Sequence, residues 1–241
     1  MTHLLRKSFA EFLGTALLMV AVVGSSIMGF SSTQDPVLAL FITAFTIILA
    51  LGCVTFIFGS ISGGYFNPAL TFAEFIAKRL DISELFAYIA AQLVGAFAGT
   101  VLANYLANQK AISHSTRSVK GLHSYITEVL IVAGLVLILQ LLIHQYNDHL
   151  APIAIPAWIG SAFLFTASFS IANPAAIFGR MWTNAPGGTD VKSGLLLIAA
   201  DVIGVVLALA IVAVLTAGDD DLDGLAYLTE EEFVEATDHT I

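Results

Sequence analysis

The chain has 241 residues, 58% of them hydrophobic and 11% charged, and a mean hydropathy of +0.89, a balance that excludes a water-soluble enzyme domain and makes lipid the natural solvent. The formal net charge is −9, but nine of the 18 acidic residues follow residue 217 and no Lys or Arg follows Lys192. The body up to 217 is therefore neutral, and the acidity that disfavours nucleic acid and anionic lipid belongs to a C-terminal tail.

Six apolar stretches fall at about 9–29, 37–58, 84–106, 124–145, 151–170 and 192–217, each long enough to cross roughly 30 Å of hydrocarbon. Arg6 and Lys7 precede the first stretch, which continues past residue 23 without a small-residue cleavage pattern, so it reads as a retained helix rather than a signal peptide. The second stretch contains the single cysteine, Cys53, which has no internal disulfide partner and reads as a small buried hydrophobe. After it comes Ser62-Gly63-Gly64-Tyr65-Phe66-Asn67-Pro68-Ala69-Leu70-Thr71, and after the fifth comes Ser170-Ile171-Ala172-Asn173-Pro174-Ala175-Ala176-Ile177. Each Asn-Pro-Ala triplet opens only about ten residues of helical pattern, too few to span a bilayer at 1.5 Å per residue. The segments read as re-entrant half-helices.

The two halves also echo one another. Ser8-Phe9-Ala10-Glu11 opens the first span and Ser124-Tyr125-Ile126-Thr127-Glu128 the fourth; Ile89-Ala90-Ala91-Gln92-Leu93-Val94-Gly95 is matched by Ile198-Ala199-Ala200-Asp201-Val202-Ile203-Gly204. Three spans and a half-helix occur twice, and because three is odd the second copy enters from the opposite face. The sequence thus predicts an all-α membrane protein with six transmembrane helices and two re-entrant half-helices in an inverted repeat. Its channel domain occupies 1–217, with repeat one at about 1–107, repeat two at about 120–217, and an acidic tail at 218–241.

Asn67 and Asn173 suit the N-cap position, and Pro68 and Pro174 suit the first helical position, where a missing N–H costs nothing. The side-chain oxygen then accepts from the backbone, leaving the amide NH₂ directed into the passage to donate to a water or hydroxyl oxygen. Two half-helix N-termini meeting head to head concentrate positive partial charge, which disfavours cations and leaves neutral solutes unaffected. One such triplet would be an ordinary capped helix start. Two, each beside membrane spans and each opening a short apolar helix, mark a pore with Asn67, Pro68, Ala69, Asn173, Pro174 and Ala175 at its centre.

Over residues 1 to about 217 the chain resembles the aquaporin (major intrinsic protein) family, through Ala10-Glu11-Phe12-Leu13-Gly14-Thr15, the Ser62 to Thr71 segment with Tyr65 in place of the usual His, and Tyr88-Ile89-Ala90-Ala91-Gln92. The resemblance implies a homotetramer with one pore per subunit, lying in the plasma membrane with both termini cytoplasmic. Loop charge gives no vote on orientation, with four basic residues on one side and five on the other. Glu11 and Glu128 match the membrane-embedded glutamates that accept hydrogen bonds from the re-entrant loops. The arginine that in this family usually follows the second triplet is here Ala176, which removes a fork of donors and a large volume from the filter. The other matching filter positions are Ile47 and Ser170, with Ser161, Phe163 and Phe165 as candidates on the fifth span. Arg180, one turn beyond Ala176, either partly replaces the missing charge or neutralises the half-helix C-terminus. Phe165 to Arg180 looks like a bacterial subgroup lacking the filter arginine, some members of which are associated with arsenic handling.

Three further features carry chemistry of their own. Asp201 stands where Gln92 predicts glutamine and reads first as a packing residue bonded to a neighbouring helix. His114, His123, His144 and His149 lie around the loops and read as solvated. In the tail, Asp219, Asp221, Asp223, Gly224 and Glu230 satisfy the D-x-D-x-D-G-x₅-E calcium-loop spacing without a partner hand, and an acidic solvated tail gives the same pattern. No nucleophile, base and orienter set falls in the membrane body. The expected function is passive permeation of water and small uncharged solutes such as glycerol, urea or metalloid acids. The rival readings are a non-conducting membrane protein acting in adhesion or calcium sensing through its tail, and a cation-permeable pore.

Overall fold

A computed structural model describes residues 2–166 and 172–218. Among the described residues eight α-helices follow in order: α1 (His3–Ser32), α2 (Pro36–Ser62), α3 (Pro68–Ile76), α4 (Ile82–Leu106), α5 (Leu122–His144), α6 (Ala151–Phe165), α7 (Pro174–Arg180) and α8 (Val191–Leu215), with a 3₁₀ turn at Asp148–Leu150 before α6. Six of them, α6 together with its 3₁₀ turn, are long and apolar enough to cross a membrane. The helix ends are set by chemistry that the sequence carries. Asp35 caps α2 ahead of Pro36, and Asp81 and Glu84 form a reciprocal capping box at the start of α4. α1 begins some way ahead of its apolar stretch, because Thr2 caps it there by accepting from the Leu5 N–H.

The remaining two helices are short: α3 has nine residues and α7 has seven. At 1.5 Å per residue these are about 14 Å and about 10 Å long, so each reaches less than halfway across the bilayer. Both begin with Pro and are capped by Asn67 and Asn173. Counting passes, α3 returns to the face at which α2 ends and α4 begins, while α7 returns to the opposite face. The half-helices touch each other at their N-terminal ends and pack against α4, α5 and α8.

Helix pairing follows the repeat. α1 packs on α4 and α5 on α8, with α2 against α1 and α6. The α1–α4 contact is close because Gly99 has no Cβ: one built there would overlap the Ala16 carbonyl oxygen. Lys7 of α1 donates to Glu84 of α4 at 2.7 Å and ties the same pair at its membrane edge. One core of apolar residues, including Met19, Ile47, Phe66, Ile131, Leu135 and Ala176, runs through the centre of the bundle. Cys53 corrects the expectation for it. It is exposed on the outer side of α2 rather than buried in the bundle, because a chain whose natural solvent is lipid puts apolar residues outward as freely as inward.

Candidate functional site

The two triplets meet. Asn67 accepts from the Ala69 N–H at 2.9 Å, and Asn173 accepts from the N–H groups of Ala175 and Ala176 at 3.0 and 3.2 Å. Each asparagine then spends one amide hydrogen on the other repeat: Asn67 Nδ2 donates to the Ala172 carbonyl at 2.8 Å, and Asn173 Nδ2 donates to the Phe66 carbonyl at 2.9 Å. The NH₂ groups are therefore not left wholly to the passage, as capping alone predicts. One hydrogen on each remains for a solute, and the other stitches the loops together.

That stitch requires the two accepting residues to turn their carbonyls across the midline. Phe66 and Ala172 both adopt positive φ, at 49° and 52°. A bulky aromatic in the left-handed region costs on the order of 1–3 kcal/mol. The surroundings fix it from both ends, because the N–H of Phe66 donates to Glu11 at 2.7 Å and that of Ala172 to Glu128 at 3.0 Å. Sequence reading misses these residues. Nothing in a Phe or an Ala signals positive φ, although each directly precedes the triplet asparagine.

Glu11 is fully buried and collects donors from four residues: Ser62 Oγ at 2.6 Å, the Tyr65 N–H at 3.1 Å, the Phe66 N–H at 2.7 Å and Gln92 Nε2 at 2.8 Å. A carboxylate at this depth is tolerable only with such a set of partners. Glu128, its repeat counterpart, is equally buried and faces Asp201 within hydrogen-bonding reach. Gln92 donates to Glu11 as an amide, whereas the carboxyl of Asp201 can bond Glu128 only when one of the two acids carries a proton; with both ionised, neither Asp201 oxygen has a donor.

The filter candidates separate. Ile47 is buried and lines a central cavity of ≈ 20 Å³ with Leu18, Leu51, Asn67, Ile159 and Asn173, room for about one water. Ala176 is buried beside the second triplet, in the first turn of α7. Ser161 does not join them. It is exposed, and its hydroxyl is turned back onto the Ala157 carbonyl at 2.8 Å, because 100° per residue carries it away from the α6 face on which Ile155 and Ile159 line the cavity. Phe163 is buried and Phe165 exposed; Ser170 lies outside the described residues. Arg180 is buried at the end of α7, where Nε donates to the Gly187 carbonyl and its own carbonyl accepts from the Thr189 N–H at 3.2 Å. Gly187 in turn donates to Ser26 of α1 at 3.1 Å, so the guanidinium braces the α7–α8 connection.

Glu74, the repeat counterpart of Arg180, has its own partners on the opposite face. Arg79 donates to it through Nε at 2.7 Å and Nη2 at 2.9 Å, and Gln140 donates at 2.7 Å. His114, His123, His144 and His149 are all exposed. Among the described residues no three His, Cys, Asp or Glu side chains are grouped to hold a metal. The calcium-loop candidates Asp219, Asp221, Asp223 and Glu230 lie outside the described residues.

The family model described as Major intrinsic protein matches residues 1–185. Aquaglyceroporin AqpS of Rhizobium meliloti (strain 1021) is 35% identical over 210 residues, covering 86% of this chain and 89% of the relative. Aquaporin TIP2-1 of Zea mays is 33% identical over 181 residues, covering 70% and 72%. Among solved structures, the aquaglyceroporin from Plasmodium falciparum superposes with a TM-score of 0.64 at 19% identity, covering 85% of this chain and 94% of that one, which is a likeness of fold.

Proposed function

Because the chain belongs to the major intrinsic protein family, it is a multi-pass membrane channel and not an enzyme, and we propose that its solutes cross between Asn67 and Asn173. The observation that carries this path is the reciprocal pair of amide-to-carbonyl bonds beside a cavity with room for about one water. Single-file passage past two amide donors suits water and small hydroxylated molecules, which exchange one hydrogen bond for another. An ion would have to shed its hydration shell against the positive ends of two half-helices.

The relative named an aquaglyceroporin extends the solutes to glycerol, and the loss of the filter arginine at Ala176 favours such wider cargo. Ile47 and Ala176 border the opening on the α7 side, with Arg180 supplying charge behind it; Glu11 and Glu128 hold the loops. The channel body is 1–217 in two repeats, assembles as a homotetramer, and sits in the plasma membrane with both termini in the cytoplasm. Urea and neutral metalloid acids share the size and neutrality of these solutes. The calcium reading of the tail rests on the Asp219 to Glu230 spacing alone. Titration of the full chain against a form ending at Gly218 tests it, and equal heats at sub-millimolar calcium end it.

Stopped-flow light scattering on proteoliposomes with water, glycerol, urea and arsenite gradients tests the channel directly. Water and glycerol should move faster than in empty vesicles; no acceleration for any solute would sink the reading. An ionic current would support the cation-pore rival, which no observation among the described residues favours.

A further inference from the structure

A second cavity, of ≈ 400 Å³, lies at the face where α2 and α5 end and α6 begins, and Tyr65 lines both it and the central cavity of ≈ 20 Å³. Its side chain is held from several directions. The Tyr65 N–H is fixed by Glu11 at 3.1 Å, and the phenol donates to Glu74 Oε2 at 3.3 Å. Glu74 cannot yield easily. It is 1% exposed and takes two nitrogens of Arg79 and the amide of Gln140, while Arg79 also donates to Gln140. The ring lies over Gly63, which has φ of 96° and where an added Cβ would fall 2.6 Å from the ring carbon bearing the hydroxyl. Backbone, hydroxyl and packing thus agree on one position for the ring, at the junction between a wide mouth and a cavity for about one water.

We propose that Tyr65 is a specificity-determining residue, a size filter on the face opposite Ala176, and that Glu74, braced by Arg79 and Gln140, is its positioning residue. The inference rests on the channel reading and adds to it the place where size is read. A tethered phenol narrows the passage by its volume and offers no charge, so it discriminates among neutral solutes by width. With the opening near Ala176 relieved of an arginine, the tightest point moves to Tyr65. The tether explains why a ring at this position can select: an untethered tyrosine has rotamers that would open the lumen.

The experiment compares glycerol-to-water and erythritol-to-water permeability ratios in proteoliposomes for the parent, Tyr65→Ala, Tyr65→Phe and Glu74→Gln. Tyr65→Ala should raise both ratios by roughly three- to tenfold, with erythritol gaining more than glycerol. Tyr65→Phe and Glu74→Gln, which keep the ring and weaken the tether, should give smaller rises in the same order. A ratio reports selectivity independently of how much protein inserts, so a merely structural role would lower all solutes together and leave it unmoved. Unchanged ratios in Tyr65→Ala overturn the proposal. Should that variant fail to reconstitute, unchanged ratios in both tether variants overturn it. A parent that moves water no faster than empty vesicles overturns the channel reading and this inference with it, whereas a conducting parent with insensitive variants overturns the inference alone.

Discussion

Ala176 sits in the first turn of α7, directly after the second triplet, and its environment indicates what a larger residue there would do. It is buried and its N–H is spent on Asn173, so the backbone there is fixed and a longer side chain must extend toward the lumen or unseat α7. Ala176→Arg should cut the glycerol-to-water ratio by about tenfold, the larger polyols disappearing first. An unchanged ranking of solutes would mean that an arginine at 176 does not reach the lumen. The acid pair offers a second test, of stability. Asp201→Asn supplies Glu128 with the amide donor that Gln92 gives Glu11, without needing a proton, and should raise stability by about 1 kcal/mol with permeability retained. A lower thermal midpoint in detergent would mean that the shared proton is the better link. The triplet asparagines were legible because Asn before Pro states a local cap. The bonds that make them a site were not, since their partners lie 105 and 107 residues away. Glu74 holds the mirror position to Arg180, but its brace to Gln140, 66 residues on, leaves no mark in the local sequence.

The long helices are the most legible elements because apolar length alone specifies a span. Their faces are harder to read. A helix surrounded by lipid outside and protein inside is apolar all round, so no periodic stripe announces which side packs. That is why Ser161 was a fair candidate by position and yet lies off the cavity face, and why Cys53 proved exposed. Small residues are the better guide. Gly99 marks the α1–α4 crossing, and Gly99→Leu should cost about 1–3 kcal/mol by overpacking and lower the thermal midpoint, while Leu at exposed Val94 should not. Equal midpoints for the two would deny the close approach. At the start of α4, the Ser83 hydroxyl and then the Glu84 N–H hold the Asp81 carboxyl below the ordinary aspartate range. A carboxyl depressed in the folded state stabilises above its unfolded pKa and loses that contribution as pH falls through the folded value. Asp81→Asn should therefore show a shallower acid-side loss of stability than the parent. Identical acid limbs would show that the cap does not titrate with folding.

At the scale of the whole molecule, charge and function are separated along the chain. The neutral body holds the described helices and the tail holds half of the acids. A chain ending at Gly218 should conduct water at the parental rate per molecule and carry nine fewer negative charges; a marked change in rate would tie the tail to the pore. The stitched loops reach further. A half-molecule of three spans and one re-entrant segment would leave the Phe66 carbonyl and an Asn67 amide hydrogen facing hydrocarbon, at several kcal/mol per unmet group. During synthesis the first half must wait in that state, or keep its loop near the water, until the second half arrives. The passage is therefore not assembled twice and joined. It comes into existence in one event, when the two repeats of a single polypeptide close on each other in the middle of the membrane.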